Sequence, residues 1–479
     1  MNTNALVVVL VAAIGGAWSL LAPDNALASL LLLVATGLAV TLRGVPRAVQ
    51  SLTFVALTFL FTLVLRREPA LNLVFFNPAF YGLLAVLLSS LLQPIPRWIK
   101  LLLSVSILFV SVPLVGFSNP FLFELGIQVG IFAALALGLN VVVGLAGLLD
   151  LGFAAFFAIG AYTWGIFGSG DPDGKYQSQA SKFIHWFPAS GLDGNLLYLF
   201  IGIAIITAAI TGVLIGLPAL RLRGDYLAIV TLGLGEVVRV LANNLDHPLN
   251  ITNGPQGITP VHRPSVDWLN SFTNFLGVEK VYGRPLDAAM TYNLFFYLLV
   301  LVVIGIVIIV NVRLSNSRFG RAWVAIREDE VAAKTMGIPL LWTKLLAFAT
   351  GAAFSGTMGA VYAAKQTFVN PESFTLVQSI FFLAMVILGG MGSIGGAVVG
   401  AAAVTLLNLD ILKNLSDYLN DMRQAGVTFL GYNFANLPSQ LEPAKYERLV
   451  FGLILILMMI FRPEGLIPEK RHRLELEKE

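Results

Sequence analysis

The chain has 479 residues, of which 57% are hydrophobic and only 12% are charged, and its formal net charge is +3. A soluble protein carries charges on about a quarter of its residues, so this composition excludes an ordinary soluble fold. Cysteine is absent, which excludes disulfides, thiolate chemistry and cysteine-ligated metal sites. The four histidines, His185, His247, His262 and His472, are scattered without metal-ligand spacing, so no metal site is expected.

Apolar stretches of about 18 residues or more recur along most of the chain, and each is long enough to cross about 30 Å of hydrocarbon as a helix. They predict an all-α fold, a polytopic transmembrane helical bundle. The first stretch, 5–21, lacks a preceding basic segment and is followed by further spans, so we interpret it as a retained helix rather than a cleaved signal. The fourteen predicted spans are 5–22, 27–42, 49–65, 79–93, 98–116, 121–144, 148–168, 197–220, 225–242, 290–311, 340–362, 376–390, 394–409 and 447–461.

The loops between these spans differ in their density of Lys and Arg. Basic residues are denser on the side that holds the stretch 313–344 and the C-terminal tail, and this side is expected to be cytoplasmic. Both termini are then cytoplasmic, with Arg66 and Arg67 as exceptions on the opposite side. The long outer loops, 169–196 and 243–289, are rich in Gly, Pro, Asn and Asp, as water-exposed loops are.

The first five spans are rich in Leu and Val and carry few polar residues. They are typical of lipid-facing helices or a peripheral annex. From Phe121 onward the helices carry polar residues at membrane depth. Such residues usually face protein or a water-filled path, which favours this later portion as the working part.

Two of the later segments are interrupted by glycines, "LGLNVVVGLAGLLDLGFAAFFAIGAY" (Leu137–Tyr162) and "AMVILGGMGSIGGAVVGAAAV" (Ala384–Val404). Matched interruptions in two parts of a transporter are a pointer to its substrate path, since glycine permits backbone that leaves the helix. Close helix packing with tight turns explains the same pattern equally well. The candidate path residues are Asn140, Gly144, Gly147, Gly389, Gly390, Gly392 and Gly395.

Asp150, beside the first interruption, is a candidate cap for the next helix. Glu236 and Arg239 are three residues apart on a predicted span and therefore share one helix face. Since a buried charge must be paired, the two are expected to form a structural ion pair; a role in the pathway or in gating is the alternative.

The stretch "GRAWVAIREDEVAAKTMGI", Gly320–Ile338, is charged, lies between two spans and contains good helix formers. It predicts a short cytoplasmic helix that Gly337 and Pro339 terminate. Two roles fit such a helix. It can transmit rigid-body motion from a cytoplasmic subunit to both flanking spans, or it can lie at the headgroups with its basic residues near anionic lipid.

This stretch resembles the coupling helix of membrane subunits in bacterial ABC importers, and the branched-chain amino acid permease family in particular. Four further motifs resemble that family in the same order: the first interrupted segment, "RLRGDYLAIVTLGLGEVVR", "NPESFTLVQSIFFLAMVILGGMGSIGG" and "GLILILMMIFRPEGL". The resemblance implies a permease core at 119–465, preceded by a variable N-terminal transmembrane extension at 1–118 and followed by a charged cytoplasmic tail at 466–479.

The resemblance also implies partners: a homologous sister permease, two cytoplasmic ABC ATPases and a periplasmic solute-binding protein, in a bacterial inner membrane. The chain contains no P-loop pattern, so it is expected to be no enzyme and to bind no cofactor, with ATP used by the partners. The residues that the resemblance assigns to ATPase coupling are Arg321, Val324, Ile326, Arg327, Glu328, Asp329, Ala332, Ala333, Met336 and Gly337.

For the substrate, the resemblance favours branched-chain or other neutral amino acids over urea or short amides, which related importers carry. An ion-coupled secondary transporter is a further alternative. It would require ionisable residues clustered at mid-membrane, and only Glu236 with Arg239 approaches that pattern. A membrane scaffold without transport is the remaining possibility.

Overall fold

A computed structural model describes 54–59, 61–62, 83–84, 86–87, 96–117, 119–171, 176–219, 222, 225–275, 287–425, 428–429, 432–433, 446–462 and 464–467. The predicted spans at 5–22 and 27–42 lie outside these residues, and those at 49–65 and 79–93 lie largely outside them. Most of the predicted tail, 466–479, also lies outside.

Helices dominate the described residues, which confirms the all-α fold class. The helices are α1 (Arg97–Ser106), α2 (Val112–Gly116), α3 (Phe121–Leu139), α4 (Ala154–Phe167), α5 (Leu197–Ala219), α6 (Asp225–Asn244), α7 (Asp267–Phe275), α8 (Ala288–Ser315), α9 (Arg318–Glu328), α10 (Glu330–Thr335), α11 (Leu340–Gln366), α12 (Leu376–Gly389), α13 (Ile394–Leu406), α14 (Lys413–Gln424) and α15 (Glu447–Phe461). The two short strands, β1 (Thr428–Phe429) and β2 (Tyr432–Asn433), pair antiparallel, with Thr428 opposite Asn433.

Eight of the described helical stretches are long and apolar enough to cross a membrane. Every span predicted from residue 98 onward coincides with a helix, because each apolar run is uninterrupted over most of its length. The predicted span 148–168 begins late, at Ala154. Within the described ranges, three π-helical stretches interrupt or extend α-helices, at Ile107–Ser111, Asn140–Leu145 and Leu407–Leu412.

The chain divides into two compact units. In the unit that comprises 1–126, 272–298 and 406–450, Phe123 packs edge-on against Tyr297, with ring centroids 5.6 Å apart. The hydroxyl of Tyr297 donates a hydrogen bond to the Leu108 carbonyl at 2.8 Å. These contacts join α3, α8 and the π-helical stretch 107–111 within that unit.

The other unit comprises 127–271, 299–405 and 451–479, and α4, α5 and α11 pack closely at its centre. Helices α4 and α11 approach each other at Gly160 and Gly356, where a Cβ on Gly160 would overlap the Gly356 backbone. Phe153 and Phe157 surround this contact with aromatic packing against Phe382 of α12. Small residues in a membrane bundle permit such backbone proximity, which gives the unit a dense core around α11.

Candidate functional site

The first break in the helices, residues 140–153, follows α3. Asn140–Leu145 form a π-helical turn, after which Gly147 adopts a left-handed φ of +68° and the chain leaves the helix. The Asp150 carboxylate accepts a hydrogen bond from the Gly152 amide at 2.9 Å. The backbone therefore stays non-helical until α4 begins, and this is why the predicted span 148–168 starts late.

Two side chains from distant helices hold the far end of this break. The Leu151 amide donates to Thr231 Oγ1 of α6 at 3.1 Å, and the Ala154 amide donates to Ser379 Oγ of α12 at 3.0 Å. Asp150 was the expected cap of α4, but its carboxylate bonds ahead of the helix and Ser379 takes the first helical amide. The sequence carried no signal for Thr231 or Ser379, since their partners lie 80 and 225 residues away.

The second break, residues 389–393, separates α12 from α13. Gly390 has a φ of +117°, a value that strains any residue with a side chain. The closing segment of the chain pairs with this break: the amides of Leu466 and Ile467 donate to the carbonyls of Leu388 and Gly389, both at 2.9 Å. The motif that ends the family resemblance therefore stabilises the backbone where α12 stops.

The two breaks contact each other directly. The buried Asn140 side chain accepts a hydrogen bond from the Gly392 amide at 2.8 Å, across 252 residues of sequence. A Cβ at Gly144 would collide with both partners of that bond. The structure thus brings together Asn140, Gly144 and Gly392, whereas Gly395 is exposed with no neighbouring atom near its missing Cβ.

Residues 318–337, which we call the connector, join α8 to α11. The sequence predicted one helix here, but the structure has two, α9 and α10, separated at Asp329 with φ −152° and ψ 110°. The Asp329 carboxylate accepts hydrogen bonds from the amides of Val331 and Ala332 at 2.8 and 3.0 Å. Asp is a strong N-cap and a poor helix-interior residue, so it ends α9 and starts α10.

The predicted stop at Gly337 is confirmed. Gly337 has a φ of +84°, and the Ile338 amide donates back to the Ala333 carbonyl at 3.1 Å. This is the hydrogen-bond pattern of a glycine-terminated helix.

Two buried contacts tie the connector to α11. Trp323, which is fully buried, donates its indole N–H to the Thr343 carbonyl at 2.7 Å. Glu330 forms an ion pair with Lys344 at 2.9 Å, and the Lys344 side chain is only 6% exposed. Since a buried indole and a buried ion pair are held in one geometry, the connector and the start of α11 should move together.

A third contact ties the connector to the first break. Arg327 Nη1 donates to the Gly144 carbonyl at 2.5 Å, and the aliphatic part of Arg327 lies where a Cβ of Gly147 would be. The family resemblance assigns Arg327 to ATPase coupling. In the structure its guanidinium points inward and reaches the same π-helical turn that carries Asn140.

The exposed side chains of the connector include both apolar and charged residues. Val331 is 64% exposed and Met336 is 83% exposed. Of the residues assigned to coupling, Ile326 and Ala333 are buried, and Val324 and Arg327 are half-buried. The exposed members are Arg321, Glu328, Asp329, Ala332, Met336 and Gly337.

The ion pair predicted on α6 is present and has a third member. Arg239 donates to the Glu236 carboxylate through Nε at 2.8 Å and also through Nη2, while its Nη1 reaches Glu372 at 2.8 Å. Glu372 belongs to a short 3₁₀ turn, Pro371–Phe374, which precedes α12. The sequence spacing revealed the helical pair, but Glu372 lies 133 residues away and had no local signal.

Comparison with known proteins decides the family. Residues 121–459 match the profile described as "Branched-chain amino acid transport system / permease component". The chain belongs to this permease family. The matched region contains both breaks, the connector and the charged residues of α6, and the resemblance seen in the motifs is thereby confirmed.

Individual relatives of this permease agree with the family profile. The chain is 38% identical over 358 residues to the high-affinity branched-chain amino acid transport system permease protein LivM of Escherichia coli, covering 72% of this chain and 70% of that protein. It is 37% identical to LivM of Salmonella typhimurium over the same shares. A probable LivM of Methanocaldococcus jannaschii is 28% identical over 71% of this chain and 91% of its own length. No solved structure matches the chain.

Proposed function

We propose that this permease is the membrane-spanning subunit of an ATP-driven importer for branched-chain or other neutral amino acids in a bacterial inner membrane. The observation that carries the proposal is the connector. It presents exposed apolar side chains, Val331 and Met336, to a partner, while Trp323, Glu330 and Arg327 attach it to α11 and to the first break. A partner that displaces this surface would also displace α11 and the first break.

The partner seated on the connector is an ABC ATPase, with two such subunits in the complete importer. Val331 and Met336 are exposed apolar side chains on a short charged segment, and such side chains can be covered when a partner protein binds. Motion of the ATPases on nucleotide binding and hydrolysis would displace the connector. ATP would be bound and used by those partners, and the connector and both termini would lie in the cytoplasm.

The remaining partners are a homologous sister permease beside this chain and a periplasmic solute-binding protein on the outer side. The path for the substrate would be bordered by the two breaks, where backbone departs from helical geometry. Such departures in a membrane protein are tolerated where the backbone is buried in protein or lines a cavity. This region would have two backbone arrangements. The hydrogen bond of Asn140 joins the breaks, and the positive φ angles of Gly147 and Gly390 give the backbone the freedom to change.

Copurification and ATP turnover test this function. The chain, purified in lipid with its partners, should retain ATPase subunits, and turnover should rise when the binding protein is loaded with substrate. A panel of branched-chain amino acids, other neutral amino acids, urea and short amides identifies the substrate class. Uptake that follows a proton or sodium gradient without ATP hydrolysis would contradict the proposal.

Variants at the exposed face locate the ATPase contact. Val331→Asp and Met336→Asp should reduce ATPase retention, because each places a charge in an apolar contact. Leu249→Asp is a matched control, since Leu249 is 58% exposed and lies in the long loop after α6. Equal retention by all three variants would place the ATPase elsewhere.

A further inference from the structure

Helix α6 presents a face that stays exposed among the residues that the structure describes. Only 22% of its spanning window is buried, against 78% for the window that begins at Phe121. Six of the seven α6 residues that are seen to be exposed recur every three or four positions and therefore share one side of the helix, and the seventh, Leu241, lies beside them. This side, which we call the α6 stripe, comprises Tyr226, Ile229, Gly233, Val237, Val240 and Asn244.

Charged groups lie at the edge of the α6 stripe. The Glu236 side chain is 38% exposed and Arg239 is 24% exposed. Glu236 is eleven residues beyond Asp225, the first residue of α6, which places it about 16 Å along the helix axis, near the centre of a hydrocarbon layer of about 30 Å. A charged side chain at that depth is disfavoured against lipid and normally faces protein or water.

Two other spanning helices with exposed surfaces serve for comparison. The large exposed residues of α5 include Leu199, Ile206 and Ile210, and α5 contains no charged residue. On α8 the large exposed residues are aliphatic, among them Val302 and Ile306, and its single charge, Arg313, is in the last turn. Neither helix exposes an ionisable group at its middle, so α6 differs from both in the one property that lipid opposes.

From this contrast we propose that the α6 stripe faces the aqueous translocation path, and that Glu236 and Arg239 contact the ammonium and carboxylate groups of a zwitterionic amino acid. The inference rests on the proposed function and names a binding surface within it. The two charges are opposite and adjacent, as those of an α-amino acid are. Val240, one turn beyond Glu236 on the same side of the helix, offers apolar contact to an aliphatic substrate side chain.

The third member of the cluster suits transient contact. Glu372 is 60% exposed, and an ion pair so open to solvent is weak. A substrate carboxylate can therefore replace Glu372 at Arg239 Nη1, while Glu236 keeps its own bonds to Nε and Nη2. The Glu236 carboxylate would then face the substrate ammonium group, and the Arg239 guanidinium would face the substrate carboxylate.

The absence of cysteine makes the orientation of α6 directly measurable. Single variants Ile229→Cys and Val240→Cys, in the assembled importer in lipid vesicles, should react with a charged water-soluble thiol reagent. The thiolate is the reactive form and forms only where water reaches it. Ile206→Cys on α5 and Ile306→Cys on α8 are the matched controls and should stay unlabelled.

Leucine supplied through the binding protein should slow labelling of the α6 positions several-fold. Unlabelled α6 cysteines would overturn the inference, and so would complete cross-linking of these cysteines to the sister permease in every state, which would indicate a permanent protein interface. ATPase retention and stimulated turnover in the same preparation separate the outcomes, because the proposed function survives if they persist while labelling fails.

The charged contacts have their own test. Glu236→Gln should raise the KM for leucine about tenfold or more with little change in maximal turnover, since a charge-assisted hydrogen bond to the substrate is lost. Asp417→Asn is the control, because Asp417 is an exposed carboxylate on α14 outside the proposed site, and it should change KM less than about twofold. An unchanged KM in Glu236→Gln would remove this residue from substrate binding.

Discussion

Removing the Arg327 guanidinium should uncouple ATP hydrolysis from transport. Arg327 makes the contact between the connector and the Gly144 carbonyl, at 2.5 Å. A hydrogen bond from a charged donor contributes about 1.5–3 kcal/mol, and because Arg327 is half-buried the lower end of that range applies. This energy favours the states in which the connector and the first break move together, so its loss should weaken the coupling between ATP hydrolysis and transport about tenfold.

The assay is transport per ATP hydrolysed, measured with the importer reconstituted in vesicles. Arg327→Ala should retain its ATPases and basal hydrolysis while amino acid uptake per ATP falls about tenfold. Arg327→Lys, which keeps one charged donor on a flexible stem, should recover part of the loss.

Arg318→Ala is the matched control, because Arg318 is exposed in the same helix but its guanidinium lies over the neighbouring Phe319 ring, 4.9 Å from the centroid. The reasoning is refuted if Arg327→Ala transports as much per ATP as the unmodified protein. It is equally refuted if Arg318→Ala loses as much as Arg327→Ala, since the effect would then be general to connector charge.

Two further substitutions test the packing around α11 and the junction of the breaks. Gly356→Val should lower the thermal unfolding temperature in detergent, because its Cβ would overlap Ala208 and the α5 backbone. Such overpacking costs about 1–3 kcal/mol. Gly202→Val is the control and should leave the unfolding temperature unchanged, since no atom lies near the missing Cβ of Gly202. Asn140→Ala strands the buried Gly392 amide at a cost of about 1–3 kcal/mol, so it should reduce both thermal stability and uptake; wild-type values for both would show that the bond between the breaks is dispensable.

The spans were predictable because the membrane imposes a simple requirement on sequence. A helix that crosses hydrocarbon must be long and apolar, and this signal is local. The late start of α4 shows the limit of that signal, since the run 148–168 is apolar apart from Asp150 and a few small polar residues. Its first residues are held out of the helix by the left-handed Gly147 and by the Asp150 turn.

The division of the connector was within reach of sequence reasoning but was missed. Asp329 is followed by Glu330 and Val331, a pattern that also starts helices, yet the surrounding helix formers favoured one continuous element. The structure shows that the Asp329 side chain bonds forward to two amides and interrupts the helix. At this position the N-cap hydrogen bonds of Asp329 outweigh the helix propensity of the surrounding residues.

The contacts that assemble the candidate site could not be predicted. Arg327 and Gly144 are 183 residues apart, and Asn140 and Gly392 are 252 apart. No periodicity links such pairs, because each is produced by the packing of several helices. The sequence marks Asn140, Gly144, Arg327 and Gly392 as single candidate residues, but which of them pair depends on the tertiary fold.

The central claim is that an ATPase is seated on the connector, and Met336→Cys tests it most directly. Met336 is 83% exposed and the chain has no native cysteine, so this thiol is a single reporter on the proposed contact. In the complete importer a short thiol-to-amine cross-linker should join Met336→Cys to an ATPase subunit, and ATPase binding should protect the thiol from a water-soluble reagent. A cysteine that reacts at the same rate with and without the ATPases, and forms no cross-link, would contradict the account.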